Sequence, residues 1–311
     1  MLVTGASRRC VMRPMDLPLS SPQASMDQAD AQVAPPPFVL HAPARQTTPL
    51  VFTSPHSGRY YPPGFLRRSR LDPLTLRRSE DCFVEELAGG APALGAPLLE
   101  ATFPRALIDA NREPWELDPA MFAGRLPDWV NTRSPRVGAG LGTIPRIISS
   151  GETIHAGKLD FAEASRWIEA YWHPWHAALA GLIEQTRARF GVCMVVDCHS
   201  MPSSAAAGAE IVLGDGHGTT CAAAVTDLLE QEALSRHYAV RRNDPYAGGY
   251  ITRHYGNPAA GLHAIQIEFS RRLYMDERRM TKLAGFARLK DDTAKIFARL
   301  ADAVPALLAQ G

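Results

Sequence analysis

The chain has no Cys-x-x-Cys pair, no extended block of like charge and no apolar run long enough to cross a bilayer. Each absence closes off a class of protein. The five cysteines, Cys10, Cys82, Cys193, Cys198 and Cys221, are odd in number and irregularly spaced. That argues against a disulfide framework or a zinc ribbon and for a reducing, cytoplasmic setting. Basic and acidic residues balance at 33 against 32, so neither nucleic acid nor an anionic membrane surface is an expected partner. Arg8, Arg9 and Arg13 are not followed by the apolar core of a secretory signal.

What is present is an ordinary globular composition, 46% apolar over 311 residues, enough to bury a sizeable core. Residues 1–48 are rich in Pro, Ala, Ser and Gln and follow neither a strand nor a helix period. They read as a disordered N-terminal extension, leaving residues 49–311 as a single α/β domain. Strand-like apolar runs are expected at 49–54, 98–102, 106–108, 192–196, 211–213, 238–241 and 263–269. Helical patterns cover 161–190, 220–235 and 276–310, with Pro174 expected to kink or split the first of these. A further helix is expected to be capped by Ser79, with Glu80 and Asp81 in its first turn. Residues 113–150 are irregular and could cover a site. Interleaved strands and helices predict a mostly parallel mixed sheet flanked by helices.

Two of these strands end in histidine. Val-Val-Asp-Cys-His-Ser, residues 195–200, carries His199, and the run at 49–54 leads directly into Pro55-His56-Ser57-Gly58. Ligands of open α/β sheets bind at the carboxyl ends of the strands, so the two imidazoles form a candidate metal pair. A zinc site also requires a carboxylate. Asp81 and Glu80 are the nearest candidates, and Asp197 is placed to orient an imidazole from behind. Glu268 interrupts the alternation of its strand, where burial would raise its pKa toward that of a general base; an ion pair with Arg271 or Arg272 is the competing role. Asn111 and Arg112 follow a short apolar run, and guanidiniums that converge with Arg271 would clamp carboxylates. The segment Pro245-Tyr-Ala-Gly-Gly-Tyr250 has the glycines and aromatics of a ligand-contacting loop.

Taken together, Ser54-Pro-His-Ser-Gly58, Ile108-Asp-Ala-Asn-Arg112, Asp197-Cys-His-Ser200, Asn243-Asp-Pro-Tyr-Ala-Gly-Gly249 and Ala264-Ile-Gln-Ile-Glu-Phe-Ser-Arg-Arg-Leu-Tyr-Met-Asp-Glu277 resemble the N-formylglutamate amidohydrolase family, over residues 50–280. The resemblance implies a zinc-peptidase, phosphorylase/hydrolase-like fold related to the carboxypeptidases and holding one divalent metal, zinc first among candidates. It implies His56, Asp81 and His199 as ligands, Glu268 as general base and Arg112 as the group facing the developing oxyanion. Asn111, Arg271, Tyr246, Gly248 and Gly249 are implied to hold a small carboxylate substrate. The implied reaction is hydrolysis of N-formyl-L-glutamate to formate and L-glutamate, the last step of histidine breakdown. Two departures stand out. His56-Ser-Gly-Arg lacks the carboxypeptidase His-x-x-Glu, and Leu213-Gly-Asp-Gly-His217 carries no arginine where relatives often do. Another N-acyl amino acid as substrate, a carboxylate-binding protein without catalysis, and a hydrolase using Ser200 or Cys198 as nucleophile are the competing readings. The oligomeric state is left open.

Overall fold

The computed structural model describes residues 34–308. Its centre is a seven-stranded mixed sheet built from β1 (Phe38–His41), β2 (Leu50–Ser54), β3 (Leu98–Ala101), β4 (Cys193–Met201), β5 (Ile211–Gly214), β6 (Val240–Arg242) and β7 (Leu262–Ser270). The strand order is β1-β3-β2-β4-β7-β5-β6. β3, β2, β4 and β7 run parallel, β1 and β5 pair antiparallel at either side of that block, and β6 runs parallel to β5. The mostly parallel architecture expected from the sequence is the one observed. β2 and β4 are buried along their whole length, as parallel strands covered on both faces must be.

Alternation along the strands assigns their side chains to two cores. Leu50, Phe52, Met194, Val196, Ile265 and Ile267 pack beneath the helices Val84–Ala88, Ala223–Leu234 and Gly285–Leu308. The last of these buries Phe286, Leu289, Thr293, Ile296, Phe297, Leu300 and Val304, a three-four spacing that lays one stripe on the sheet. Val51, Cys193, Val195 and Ala264 face the other way, onto the helix His173–Phe190 and the loops between β3 and that helix. Further along the same face, at the carboxyl ends, the positions become polar: Thr53, Asp197, His199, Gln266 and Glu268. Register puts Thr53 beside Asp197, Asp197 beside Gln266 and His199 beside Glu268.

The structure departs from several sequence expectations. The sheet already includes Phe38–His41, an exposed edge strand inside the stretch expected to precede the fold. The remainder of that expected extension, residues 1–33, lies outside the described residues. Pro174 does break the helical run at 161–190. A π-helical segment, Ile168–Trp172, separates Phe161–Trp167 from His173–Phe190, widening the turn where the proline ring would meet a carbonyl. Ser79 caps no helix. It ends a short 3-10 turn, Arg77–Ser79, while Glu80 and Asp81 lie in extended and turn backbone before Phe83, whose φ is 69°. Ala106, Leu107 and Ile108 form a turn rather than a strand, closed by amides donating to the Pro104 carbonyl. Cys82, Cys193, Cys198 and Cys221 are buried and unbridged. No described helix is long and apolar enough to cross a membrane.

Candidate metal centre and active site

The two strand-end histidines converge. The ring centroids of His56 and His199 are 4.7 Å apart, and both Nδ1 atoms face a single oxygen, Asp81 Oδ2, at 3.3 Å from His56 and 3.0 Å from His199. His56, Asp81 and His199 offer one ligand atom each within 4.8 Å of one another, and all three are buried. Behind the rings, His56 Nε2 lies 2.7 Å from Asp109 Oδ1 and His199 Nε2 lies 2.8 Å from Asp197 Oδ2. A carboxylate at Nε2 holds the ring proton there and turns the Nδ1 lone pair inward, the arrangement that orients metal-binding imidazoles. His56 Nδ1 is a buried nitrogen with no hydrogen-bond partner. Two imidazole nitrogens and one carboxylate oxygen, converging from three segments, therefore fit a borderline-soft divalent cation with a coordination position to spare.

The choice between the two acidic neighbours follows from the backbone. The Asp81 amide donates to the His56 carbonyl at 3.0 Å, which fixes Asp81 beneath the rings. Glu80 points elsewhere, accepting from Tyr61 Oη at 2.7 Å and from Arg77 Nε at 3.1 Å. Burial opposes ionisation of Asp81, yet the hydrogen bond from His199 and the nearness of both imidazoles outweigh it and hold the carboxyl well below its ordinary pKa. For His199 burial disfavours the cation, but Asp197, Asp81 and Glu268 together raise its pKa well above the ordinary value. A metal ion between the Nδ1 atoms would compete with that proton.

A cavity of about 400 Å³ opens over this cluster. Its walls include His56, His199, Asn111, Arg112, Tyr246 and Glu268, and Leu141, Pro145 and Ile147 from the irregular 113–150 region do cover it. Glu268 is 6% exposed; its Oε1 accepts from Gln266 Nε2 at 2.7 Å, whereas Oε2 is buried without a partner. Burial, opposed by His199 and reinforced by Asp81, pushes the Glu268 pKa up to about 7. Gly248 and Gly249 also line the cavity, and each has a packing reason to be glycine. Gly248 has a φ of 115°, and a Cβ on Gly249 would meet the Asn111 amide at 2.2 Å.

Two side chains expected to grip substrate have their donors taken up by the protein. Arg271 is 3% exposed and donates through Nε to Ser200 Oγ (3.2 Å), through Nη1 to the Arg78 carbonyl (2.9 Å), and through Nη2 to the Glu80 carbonyl (2.7 Å) and Asp81 Oδ1 (3.0 Å). Asn111 Nδ2 reaches Asp197 Oδ2 at 3.3 Å and Gln266 Oε1 at 3.2 Å, while its Oδ1 accepts from the Ile251 amide at 2.8 Å. Arg271 thus holds Asp81 Oδ1, and Asn111 ties Asp197 on β4 and Gln266 on β7 to the helix Tyr250–Tyr255 that follows the glycine loop. Arg271→Ala should lower stability by about 3–5 kcal/mol, because it removes the cation paired with the buried Asp81 carboxylate and takes a donor from the Arg78 and Glu80 carbonyls. Denaturant midpoints test this; unchanged stability with only a raised KM would return Arg271 to direct substrate binding. Asp109 and Gln266 carry no distinguishing pattern in the sequence, although Asp109 stands where a buried run turns polar.

An α/β sheet carrying a histidine–carboxylate cluster and a buried unpaired glutamate at its parallel strand ends defines a hydrolase-like site. The sequence pattern of the N-formylglutamate amidohydrolase family matches residues 48–275, and the chain belongs to that family. It is 29% identical to an N-formylglutamate deformylase of Pseudomonas putida over 241 residues, 74% of this chain and 82% of that protein. An N-formylglutamate deformylase of Pseudomonas aeruginosa is also 29% identical, over 86% of this chain and 95% of its own length. The crystal structure of N-formylglutamate amidohydrolase from Ralstonia eutropha JMP134 is similar with a TM-score of 0.82 and 38% identity, covering 86% of this chain and 98% of that one.

Proposed function

We propose that this chain is a metal-dependent amidohydrolase that converts N-formyl-L-glutamate and water to formate and L-glutamate. The observation that carries the reading is the unpartnered Glu268 Oε2, on a carboxyl whose pKa is raised to about 7, one strand away from the His56, Asp81 and His199 cluster in the same cavity. Family membership and the relatives' names support the substrate.

When bound by His56, Asp81 and His199, a divalent cation, with zinc first among candidates, supplies Lewis acidity that lowers the pKa of nearby water from ~15.7 toward ~7 and polarises the formyl oxygen. Glu268 Oε2 accepts a proton from the attacking water as its oxygen adds to the formyl carbon. Gln266 holds the other Glu268 oxygen and so fixes which one reacts. Arg112 donates Nε to the Leu141 carbonyl and Nη1 to the Asn111 carbonyl; Nη2, ion-paired with Asp109 at 3.8 Å but making no hydrogen bond among the described residues, is the donor for negative charge growing on the formyl oxygen. Glu268 then returns the proton to the leaving nitrogen as the carbon–nitrogen bond breaks. Asn111 and Arg271 act as positioning residues, and Tyr246, Gly248 and Gly249 close the wall against the substrate.

Ser200 and Cys198 are poorly placed as nucleophiles. Ser200 Oγ lies between Asp81 Oδ1 and Arg271 Nε, and Cys198 belongs to the opposite core, where burial pushes its thiol pKa well up. The reading is tested by formate release from N-formyl-L-glutamate, measured with metal content and with N-acetyl and N-succinyl analogues alongside. Stoichiometric metal and chelator-sensitive release of formate are expected. Chelator-insensitive release would overturn the metal assignment, and preference for another acyl group would overturn the formyl assignment.

A further inference from the structure

Once Arg271 is committed to Asp81, and two of the three nitrogens of Arg112 to carbonyls, the cavity still has to bind an anion with something. Three other arginines line it: Arg78, Arg105 and Arg136. Arg78 faces Glu152 at 3.5 Å at the exposed rim. Arg105 is anchored at one point only, Nε to Asp109 Oδ2 at 3.0 Å, and its two Nη groups make no hydrogen bond among the described residues. Arg136 is exposed in the short helix Pro135–Gly138, and its guanidinium makes no hydrogen bond or ion pair among the described residues. Burial, and after it the repulsion of Arg105 and Arg136 against the attraction of Asp109, holds the Arg112 pKa below its ordinary value. Three guanidiniums thus line one cavity, and Asp109, the carboxylate that Arg105 and Arg112 face, is shared with His56. Such a cluster is stabilised by an incoming anion, and paired Nη donors match carboxylate geometry.

We propose that Arg105 and Arg136 form a two-point carboxylate subsite that selects a dicarboxylic substrate, Arg105 taking the carboxylate nearer the scissile bond and Arg136 the distal one. The assignment of ends follows from connectivity. Arg105 is joined to His56 through Asp109, so it stands beside the reacting group, whereas Arg136 has no tie to the histidine cluster. This deepens the amidohydrolase reading and rests on it for the identity of the bond cleaved, but anion selection can be measured separately.

The experiment is calorimetric binding of glutarate and pentanoate to the full chain, with kcat/KM for N-formyl-L-glutamate and N-formyl-L-glutamine alongside. The wild type should prefer the dianion in both pairs. Arg136→Ala should reduce that preference on the order of 10- to 100-fold, the effect of losing a charge-assisted pair. Arg105→Lys, which keeps the charge and loses the fork, should weaken glutarate and pentanoate alike. An unchanged glutarate preference in Arg136→Ala, or a wild type indifferent to the second carboxylate, overturns the subsite. If Arg136 sets glutarate preference in a protein that releases no formate, the subsite stands and the deformylase reading falls. If formate is released but the preference does not depend on Arg136, the deformylase reading stands and the subsite falls.

Discussion

Glu268→Gln should yield a folded protein that still binds metal while turnover falls by about 10²–10⁴-fold, the usual range for losing a positioned general base. The replacement is close to isosteric, and its amide oxygen can still accept from Gln266 Nε2, so the contact that orients the side chain survives. It also replaces a carboxyl whose charge is disfavoured by burial with a neutral amide, so stability should be little changed. Loss of rate therefore cannot be put down to unfolding. The pH profile separates proton transfer from substrate positioning. A base must be deprotonated to work, so wild-type kcat/KM should rise with pH through the Glu268 pKa and flatten above it. That pKa is about 7 in the unliganded protein, and a neighbouring cation can only lower it, so the limb should fall at or below pH 7. In the glutamine variant the limb should vanish. Wild-type turnover, or an unaltered acid limb, would remove Glu268 from the role of base.

The fold was legible wherever periodicity met burial. β2, β4 and β7 stood out because β-branched and apolar runs end in polar clusters, and those ends converge on the candidate site. His56 and His199 could be paired from sequence for this reason alone. The carboxylate beside the two rings could not be chosen, because it depends on a turn: Phe83 at positive φ and the Asp81 amide on the His56 carbonyl aim Asp81 inward, and no propensity scale resolves that from Glu80. Arg271, which lines the cavity, is the converse case. Its charge suggested substrate, but sequence carries no record of burial, and four protein acceptors already surround it. Ala106, Leu107 and Ile108 looked like a strand because they are apolar. They are buried in the loop layer over the sheet, where a turn satisfies the backbone. β1 gave no strand signal because its residues are mostly exposed and follow a proline run. Arg105 and Arg136 had no sequence signal, since a guanidinium with idle donors is recognisable only once its neighbours are known.

Replacing His199 should have the larger effect on metal. His199→Ala removes one of the three proposed ligands and leaves Asp81 and Asp197 facing each other across the gap without the imidazole that separated them. Metal content after dialysis should drop far below stoichiometric, and turnover should fall with it. Asp197→Asn provides the graded control. It keeps all three ligands but loses the carboxylate behind the ring, so affinity should weaken by about 10–100-fold, less than in His199→Ala. The pair of variants distinguishes a metal centre from a hydrogen-bonded histidine cluster, in which both substitutions would reduce stability without an ordered effect on ion affinity. Proton competition adds a second signature. Because its carboxylate neighbours hold the His199 pKa well above the ordinary value, metal binding must release that proton, and wild-type affinity should weaken as pH falls. His199→Ala should flatten this dependence, since the competing proton goes with the ring. Stoichiometric, tightly held metal in His199→Ala would place the ion elsewhere and dissolve the link between the two strand-end histidines.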